Sequence, residues 1–76
     1  MQRVGEVVRT AQGLAVVRVP ADTDPARIGS EVVDESLDTV GRVVDVFGPV
    51  DNPYVAVSPS DRSRLTGMLG TKLYAR

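Results

Sequence analysis

Short valine-rich runs, separated by glycine, proline, aspartate and asparagine, dominate the sequence. β-Branched side chains favour extended backbone, and the separating residues are the ones that turns prefer. This spacing predicts an all-β domain. The strand-like runs are Arg3–Arg9, Leu14–Val19, Glu31–Asp34, Thr39–Phe47, Tyr54–Ser58 and Thr71–Ala75, with Thr39–Phe47 the longest of them.

A single domain over residues 1–76 is expected, because a chain of 76 residues cannot build a second sheet layer from such short strands. Closing the sheet hides edge strands that would otherwise stay unpaired, so we expect a small six-stranded β-barrel. The first two strands form a hairpin that turns at Gly13. Ser60–Gly70 can form a short helix before the last strand, with Ser60 as N-cap and Asp61 in its first turn.

The side-chain inventory disfavours an enzyme. The chain has no Cys and no His, which excludes disulfides, thiolate zinc sites and the usual general base. Catalysis would depend on carboxylates, hydroxyls or Lys72. Asp22 and Asp24 are expected to be solvated turn residues, because their loop lacks the remaining ligands of a calcium site. We therefore expect no catalytic residue, no metal site and no cofactor.

The charge balance and the absence of targeting signals limit the classes of partner that we expect. The chain has nine Lys and Arg and ten Asp and Glu, so it carries no excess of positive charge. Affinity for phosphate backbones comes from neutralising many phosphates, so this balance disfavours a protein whose main role is to bind nucleic acid. Tyr54 and Tyr74 could stack bases, but no basic stripe surrounds either one in the sequence. Neither a secretory signal nor an apolar run of bilayer length is present. A cytoplasmic protein without a membrane partner is expected.

The segment Phe47–Tyr54 stands out among the connections between strands. It contains the only Phe, one of the two Tyr and two prolines. Prolines remove conformers from an unbound loop, so its apolar side chains can form a preorganised anchor for a partner. Alternatively, Phe47 plugs one end of the barrel while Pro49 and Pro53 only shape a turn. The residues alone leave both interpretations open.

This segment resembles the Gly-x-Val-x-(Asp/Glu)-(Val/Ile)-Phe-Gly-Pro…Pro-Tyr signature of the GAR/NAF family, the glycine-arginine-rich-protein subunits of H/ACA ribonucleoproteins. The similarity runs over Val40–Val50 and Asn52–Val57, and extends to Arg3–Val7 and Val32–Asp34. The resemblance implies a six-stranded barrel related to the second domain of elongation factors. Because Gly-Arg-rich extensions are lacking, it also implies the minimal archaeal form.

The resemblance further implies a non-catalytic subunit of the pseudouridylation complex. Such a subunit binds the catalytic domain of a dyskerin-type pseudouridine synthase and helps substrate RNA load and leave, in rRNA modification and ribosome biogenesis. Guide and substrate RNA would be met only indirectly, through the complex. The implied partner-binding residues are Phe47, Gly48, Pro49, Val50, Pro53 and Tyr54. Within this set Val50 would contact the synthase, whereas Phe47 stays ambiguous between core and interface.

Two other interpretations remain. Ile28–Asp34 followed by Val40–Asp45 resembles the opening hairpin of PRC-barrel modules of ribosome-maturation proteins, although this does not explain Phe-Gly-Pro or Pro-Tyr. An independent nucleic-acid-binding barrel would instead show RNA affinity that falls steeply with salt.

Overall fold

The computed structural model, which describes residues 2–76, is a closed barrel of six antiparallel strands in the order β1-β2-β5-β4-β3-β6. The predicted all-β barrel is confirmed. The strands are β1 (Gln2–Ala11), β2 (Leu14–Arg18), β3 (Glu31–Val33), β4 (Thr39–Phe47), β5 (Tyr54–Pro59) and β6 (Lys72–Ala75). β1, with 10 residues, exceeds the 9 of β4, so β4 is not the longest. β1 is long because its first half pairs with β6 and its second half with β2.

The predicted hairpin between β1 and β2 closes through only two residues. Ala11 pairs directly with Leu14, which leaves Gln12 and Gly13 as the loop. Their φ angles are 53° and 78°, and two positive φ angles are what a type I′ turn requires. The twist of such a turn matches that of the strands, so β1 extends to Ala11, beyond the predicted end at Arg9.

Bulges explain the mixed faces of β4. The register with β5 shifts between Val43 and Asp45, so Val44 is an extra residue and the inside–outside alternation changes there. Val43 lies in the core before the bulge, and Val46 packs against the core after it. Gly41 is buried, and a Cβ at this position would collide with the carbonyl oxygen of Ser58 on β5.

The core is filled mainly by valines that point inward from β1 to β5, together with Leu73 and Ala75 of β6. β2 and β5 are antiparallel neighbours, so the connections that follow them lie at opposite ends of the barrel. Ala26, in the connection after β2, closes one end, and Met68, in the connection after β5, closes the other. The largest fully buried side chains are Val4, Val7, Val17, Val32, Val33, Val43, Val55, Val57 and Leu73.

The helix predicted over Ser60–Gly70 does not form. Two 3₁₀ turns, Arg62–Arg64 and Thr66–Met68, cover this connection instead. The glycines in the stretch disfavour a continuous helix, and Met68 must reach inward to the core. No helix within residues 2–76 has the length and apolar character needed to cross a bilayer.

The cap of the first 3₁₀ turn also differs from the prediction, because Asp61 and not Ser60 is the N-cap. The carboxylate of Asp61 accepts hydrogen bonds from the Ser63 hydroxyl, at 2.7 Å, and from the Ser63 backbone N–H, at 3.0 Å. These two bonds, the hydroxyl first, lower the pKa of Asp61 below its ordinary value. The N-cap thus lies one residue later than predicted.

Candidate interaction site

The connection between β4 and β5 ends in a tight turn whose tip is apolar. The strands pair as far as Phe47 and Tyr54, so the connection is Gly48–Pro53. The Asn52 N–H donates to the Pro49 carbonyl at 3.1 Å, which places Val50 and Asp51 at the two central positions of the turn. Val50 is 96% exposed, so a valine side chain forms the tip.

Two aromatic rings support the base of this loop from outside the barrel. Phe47 and Tyr54 are cross-strand partners, and their rings stack with centroids 5.8 Å apart and planes 23° apart. Phe47 is 38% exposed. It is therefore a surface residue and does not plug the barrel, whose core at this end is closed by Ala26 and Val19.

Gly48 permits the backbone turn at the start of the loop, and Pro53 ties the end of the loop to β2. Gly48 has φ of 93°, and an added Cβ would lie 3.0 Å from the Cδ2 atom of Tyr54. The Pro53 carbonyl accepts the Val19 N–H at 3.3 Å, which ties the loop to the end of β2. The loop is therefore anchored to both neighbouring strands before any partner binds.

A second loop, which follows β2, lies beside the first. Residues 20–25, residues 46–51 and Pro53 line a cleft of about 680 Å³ between the two loops. Its rim carries the carboxylates of Asp22, Asp24 and Asp51 and no basic side chain. Asp22 and Asp24 lie in an exposed turn, as predicted, and within the described part of the chain no three acidic side chains are grouped as metal ligands would be.

Fold and loop together define a class: a small closed β-barrel that presents a hydrogen-bonded loop with an apolar tip. The family described as "Gar1/Naf1 RNA binding region" matches residues 1–76, and the chain belongs to this family. The resemblance noted in the sequence is thereby confirmed. The family match spans the whole chain, whereas the PRC-barrel alternative accounted for only part of it.

The fold agrees with a solved structure described as "Structure of the Gar1 domain of NAf1". The TM-score is 0.77 at 20% sequence identity, over 97% of this chain and 82% of that chain. At this identity the likeness shows a shared fold. No curated protein matches the chain significantly.

The six predicted site residues lie in one loop and its two flanking positions, but nothing in the structure tests their role. Sequence reasoning did not find the second loop of the cleft. It also did not place Arg3, Arg18 and Lys72 on one surface, where they line a common depression. Both placements follow from the order of strands around the closed barrel, in which β6 pairs with β1, β1 with β2, β2 with β5 and β5 with β4; the sequence does not state this order.

Proposed function

We propose that the chain is a non-catalytic subunit of the H/ACA guide-RNA pseudouridylation complex, of archaeal type and located in the cytoplasm. It binds the catalytic domain of a dyskerin-type pseudouridine synthase through the Phe47–Tyr54 loop. In this complex it promotes loading and release of substrate RNA, and so serves rRNA modification and ribosome biogenesis.

The observation that carries the proposal is Val50, an aliphatic side chain that is 96% exposed on a loop held by hydrogen bonds and prolines. Burying one valine contributes about 1.5 kcal/mol or more to association. Since the loop is already ordered, little of this is lost to ordering on binding. Phe47 and Pro49 extend the apolar surface around the tip. The resemblance of this segment to the GAR/NAF signature favours the synthase as the partner of that surface.

Substitution of the tip by a charge tests the contact. In Val50→Asp a carboxylate replaces the methyl groups at the interface, and we expect the Kd for the synthase to rise about tenfold or more, equivalent to about 1.4 kcal/mol. The thermal unfolding transition should stay unchanged, because Val50 has no place in the core. Calorimetric titration of the purified synthase with each variant measures the effect.

Leu69→Asp is the matched control, since Leu69 is 53% exposed and lies in the connection at the opposite end of the barrel. This variant should bind the synthase like the unmodified chain. Equal affinity of Val50→Asp and the unmodified chain would contradict the proposed contact. Loss of the folded state in Val50→Asp would show that Val50 has a structural role.

Turnover kinetics test the effect on RNA. Pseudouridine formation is compared under single-turnover and multiple-turnover conditions, with and without this subunit. If the subunit promotes release of product, its effect should be larger when each enzyme must act repeatedly. An effect confined to single turnover would contradict a role in product departure.

A further inference from the structure

β4 extends beyond the chain that pairs with it on one side. β3 pairs with β4 as far as Arg42, and Gly29 and Ser30 continue the backbone hydrogen bonds to Val43. After Val43, in the described part of the chain, no backbone group bonds to β4 on this side, whereas β5 pairs with β4 to its end on the other side. Residues 44–47 therefore form a short free edge of the sheet.

The backbone of Val46 faces this free edge. Its N–H donates to the exposed carboxylate of Asp45 at 2.8 Å, rather than to a carbonyl of β5. In an antiparallel pair the N–H and C=O of one residue point to the same side of the strand, so the Val46 carbonyl also faces the free edge. A charged side chain that covers an edge N–H protects it from unwanted pairing, and a strand that docks must replace it.

The cleft between the two loops lies on the same side of β4. Val46 and Phe47 line it on one side, and residues 20–25 line it on the other. From there the chain continues to Gly29, which bonds to the free-edge side of β4. The volume of the cleft, about 680 Å³, is in the range of ordinary binding clefts. The free edge therefore borders an open cleft.

The side chains around the edge determine what the cleft can accept. Four exposed carboxylates belong to the cleft or to the edge beside it, those of Asp22, Asp24, Asp45 and Asp51. No basic side chain lines the cleft, so its field attracts Lys and Arg and repels phosphate. Val44, in the edge, and Ile28, next to Gly29, add exposed apolar side chains.

We propose that this cleft receives an extended, basic segment of a partner protein, which adds a strand to the free edge of β4. The backbone of that segment bonds to the N–H and C=O of Val46, and its Lys or Arg side chains meet the carboxylates of the rim. Strand addition takes affinity from main-chain hydrogen bonds and specificity from alternate side chains. The edge supplies the first of these and the aspartates supply the second.

Other occupants fit this cleft less well. RNA is opposed by charge, because the cleft presents three carboxylates and no cation to a phosphate backbone. A second copy of the chain would have to supply an extended segment, and its six strands are paired with one another in its own barrel. The inference goes beyond the contact proposed for Val50 and does not depend on it, because strand addition uses the edge of β4 and not the tip of the loop.

Titration of the isotope-labelled chain with a peptide of about seven residues, alternating lysine and valine, tests the proposal by NMR. The amide signal of Val46 should shift, and its hydrogen exchange should slow about tenfold or more at saturation, because a peptide carbonyl replaces the Asp45 carboxylate as acceptor. Amides of β6, which lie away from the cleft, should be unaffected.

Two modified peptides separate strand addition from attraction between charges. One is N-methylated on every lysine and the other on every valine, so both keep their charge and each lacks one row of N–H groups. In a strand the two rows point to opposite sides, so only one row can face β4. One peptide should therefore lose about tenfold in affinity, and the other should bind like the unmodified peptide within about twofold.

Charge variants of the chain test the rim. The triple variant Asp22→Asn, Asp24→Asn, Asp51→Asn should weaken binding of the unmodified peptide about fivefold at low salt. The matched control, Glu6→Gln, Glu35→Gln, Asp38→Asn, removes three exposed carboxylates outside the cleft and should keep its affinity within about twofold. Thermal unfolding confirms that each variant is folded.

Four results would overturn the proposal. Equal affinity of the two N-methylated peptides would exclude strand addition, and an equal loss in the two triple variants would show that only total charge matters. No change at the Val46 amide with about 2 mM peptide would place any binding elsewhere. A change at this amide with RNA, or with rising concentration of the chain alone, but not with the peptide, would assign the edge to RNA or to a second copy.

Discussion

At the scale of single residues, the barrel leaves no room for a side chain at two glycines of its strands. Gly5 and Gly41 are buried, and the place of a side chain at each is taken by a carbonyl oxygen of a neighbouring strand, that of Arg18 and that of Ser58. Gly67, in contrast, has open space where its Cβ would lie. These positions differ in what surrounds the glycine, so the same substitution should be costly at Gly5 or Gly41 and nearly neutral at Gly67.

Gly41→Ala should destabilise the protein by about 3 kcal/mol or more, because β4 and β5 must separate to admit one methyl group. Urea unfolding followed by circular dichroism measures the loss. Gly67→Ala is the control and should change the free energy of unfolding by less than about 0.5 kcal/mol. Similar stability of both variants would show that the contact between Gly41 and Ser58 is not tight in solution.

Among the elements, the β1–β2 hairpin has the simplest local explanation. Its two-residue loop places Gln12 and Gly13 at positive φ, which glycine adopts freely and glutamine adopts at a cost. Asparagine is the residue best suited to the first central position of a type I′ turn. The hairpin is therefore a place where the sequence is not optimal for its own fold.

Gln12→Asn should raise the free energy of unfolding by about 0.5 kcal/mol, since asparagine tolerates the left-handed conformation better. The midpoint of urea unfolding should rise while the slope stays the same. Gln2→Asn is the control, because Gln2 lies in a strand and has no positive φ to relieve. Its amide donates a hydrogen bond to the Asp24 carbonyl at 3.0 Å, so this variant should gain no stability. A lower midpoint for Gln12→Asn would contradict the type I′ assignment.

For the whole molecule, closure depends on a short seam between β3 and β6. Only two residue pairs join these strands, Val32 with Ala75 and Val33 with Tyr74. Arg76 reinforces the seam, because its Nε lies 2.7 Å from a Glu31 carboxylate oxygen and its backbone N–H donates to the Glu31 carbonyl at 3.0 Å. The seam is where we expect the barrel to open first.

Amide hydrogens of β3 and β6 should therefore exchange with solvent faster than those of β2 and β5, which pair along four residues. Arg76→Ala should accelerate exchange at the seam and destabilise the fold by about 1 kcal/mol. Arg9→Ala, which removes an exposed arginine of β1, is the control and should leave seam exchange unchanged. Uniform exchange over all six strands would contradict local opening.

Local pattern made much of this structure predictable. Runs of β-branched residues between turn formers indicated the strands, and the Phe-Gly-Pro and Pro-Tyr motifs indicated the family. The short helix considered possible over Ser60–Gly70 is replaced by two separate 3₁₀ turns, because Met68 packs into the core and the connection crosses one end of the barrel. The length of β1 was underestimated because pairing with two different strands is not a local property.

The sequence by itself determined the set of strands, because strands depend on local backbone preferences. It also determined the β4–β5 loop and the family of the protein, because the motifs that indicate them are residues adjacent in the chain. Whether Phe47 lay inside or outside was decided only by the bulge at Val44, which reverses the faces of β4. Arg3, Arg18 and Lys72 became neighbours only through closure, because closure joins β6 to β1 while the hairpin joins β1 to β2. Their positive surface exists in the folded barrel because pairing between strands brings distant residues within one or two interstrand spacings, about 4.8 Å each.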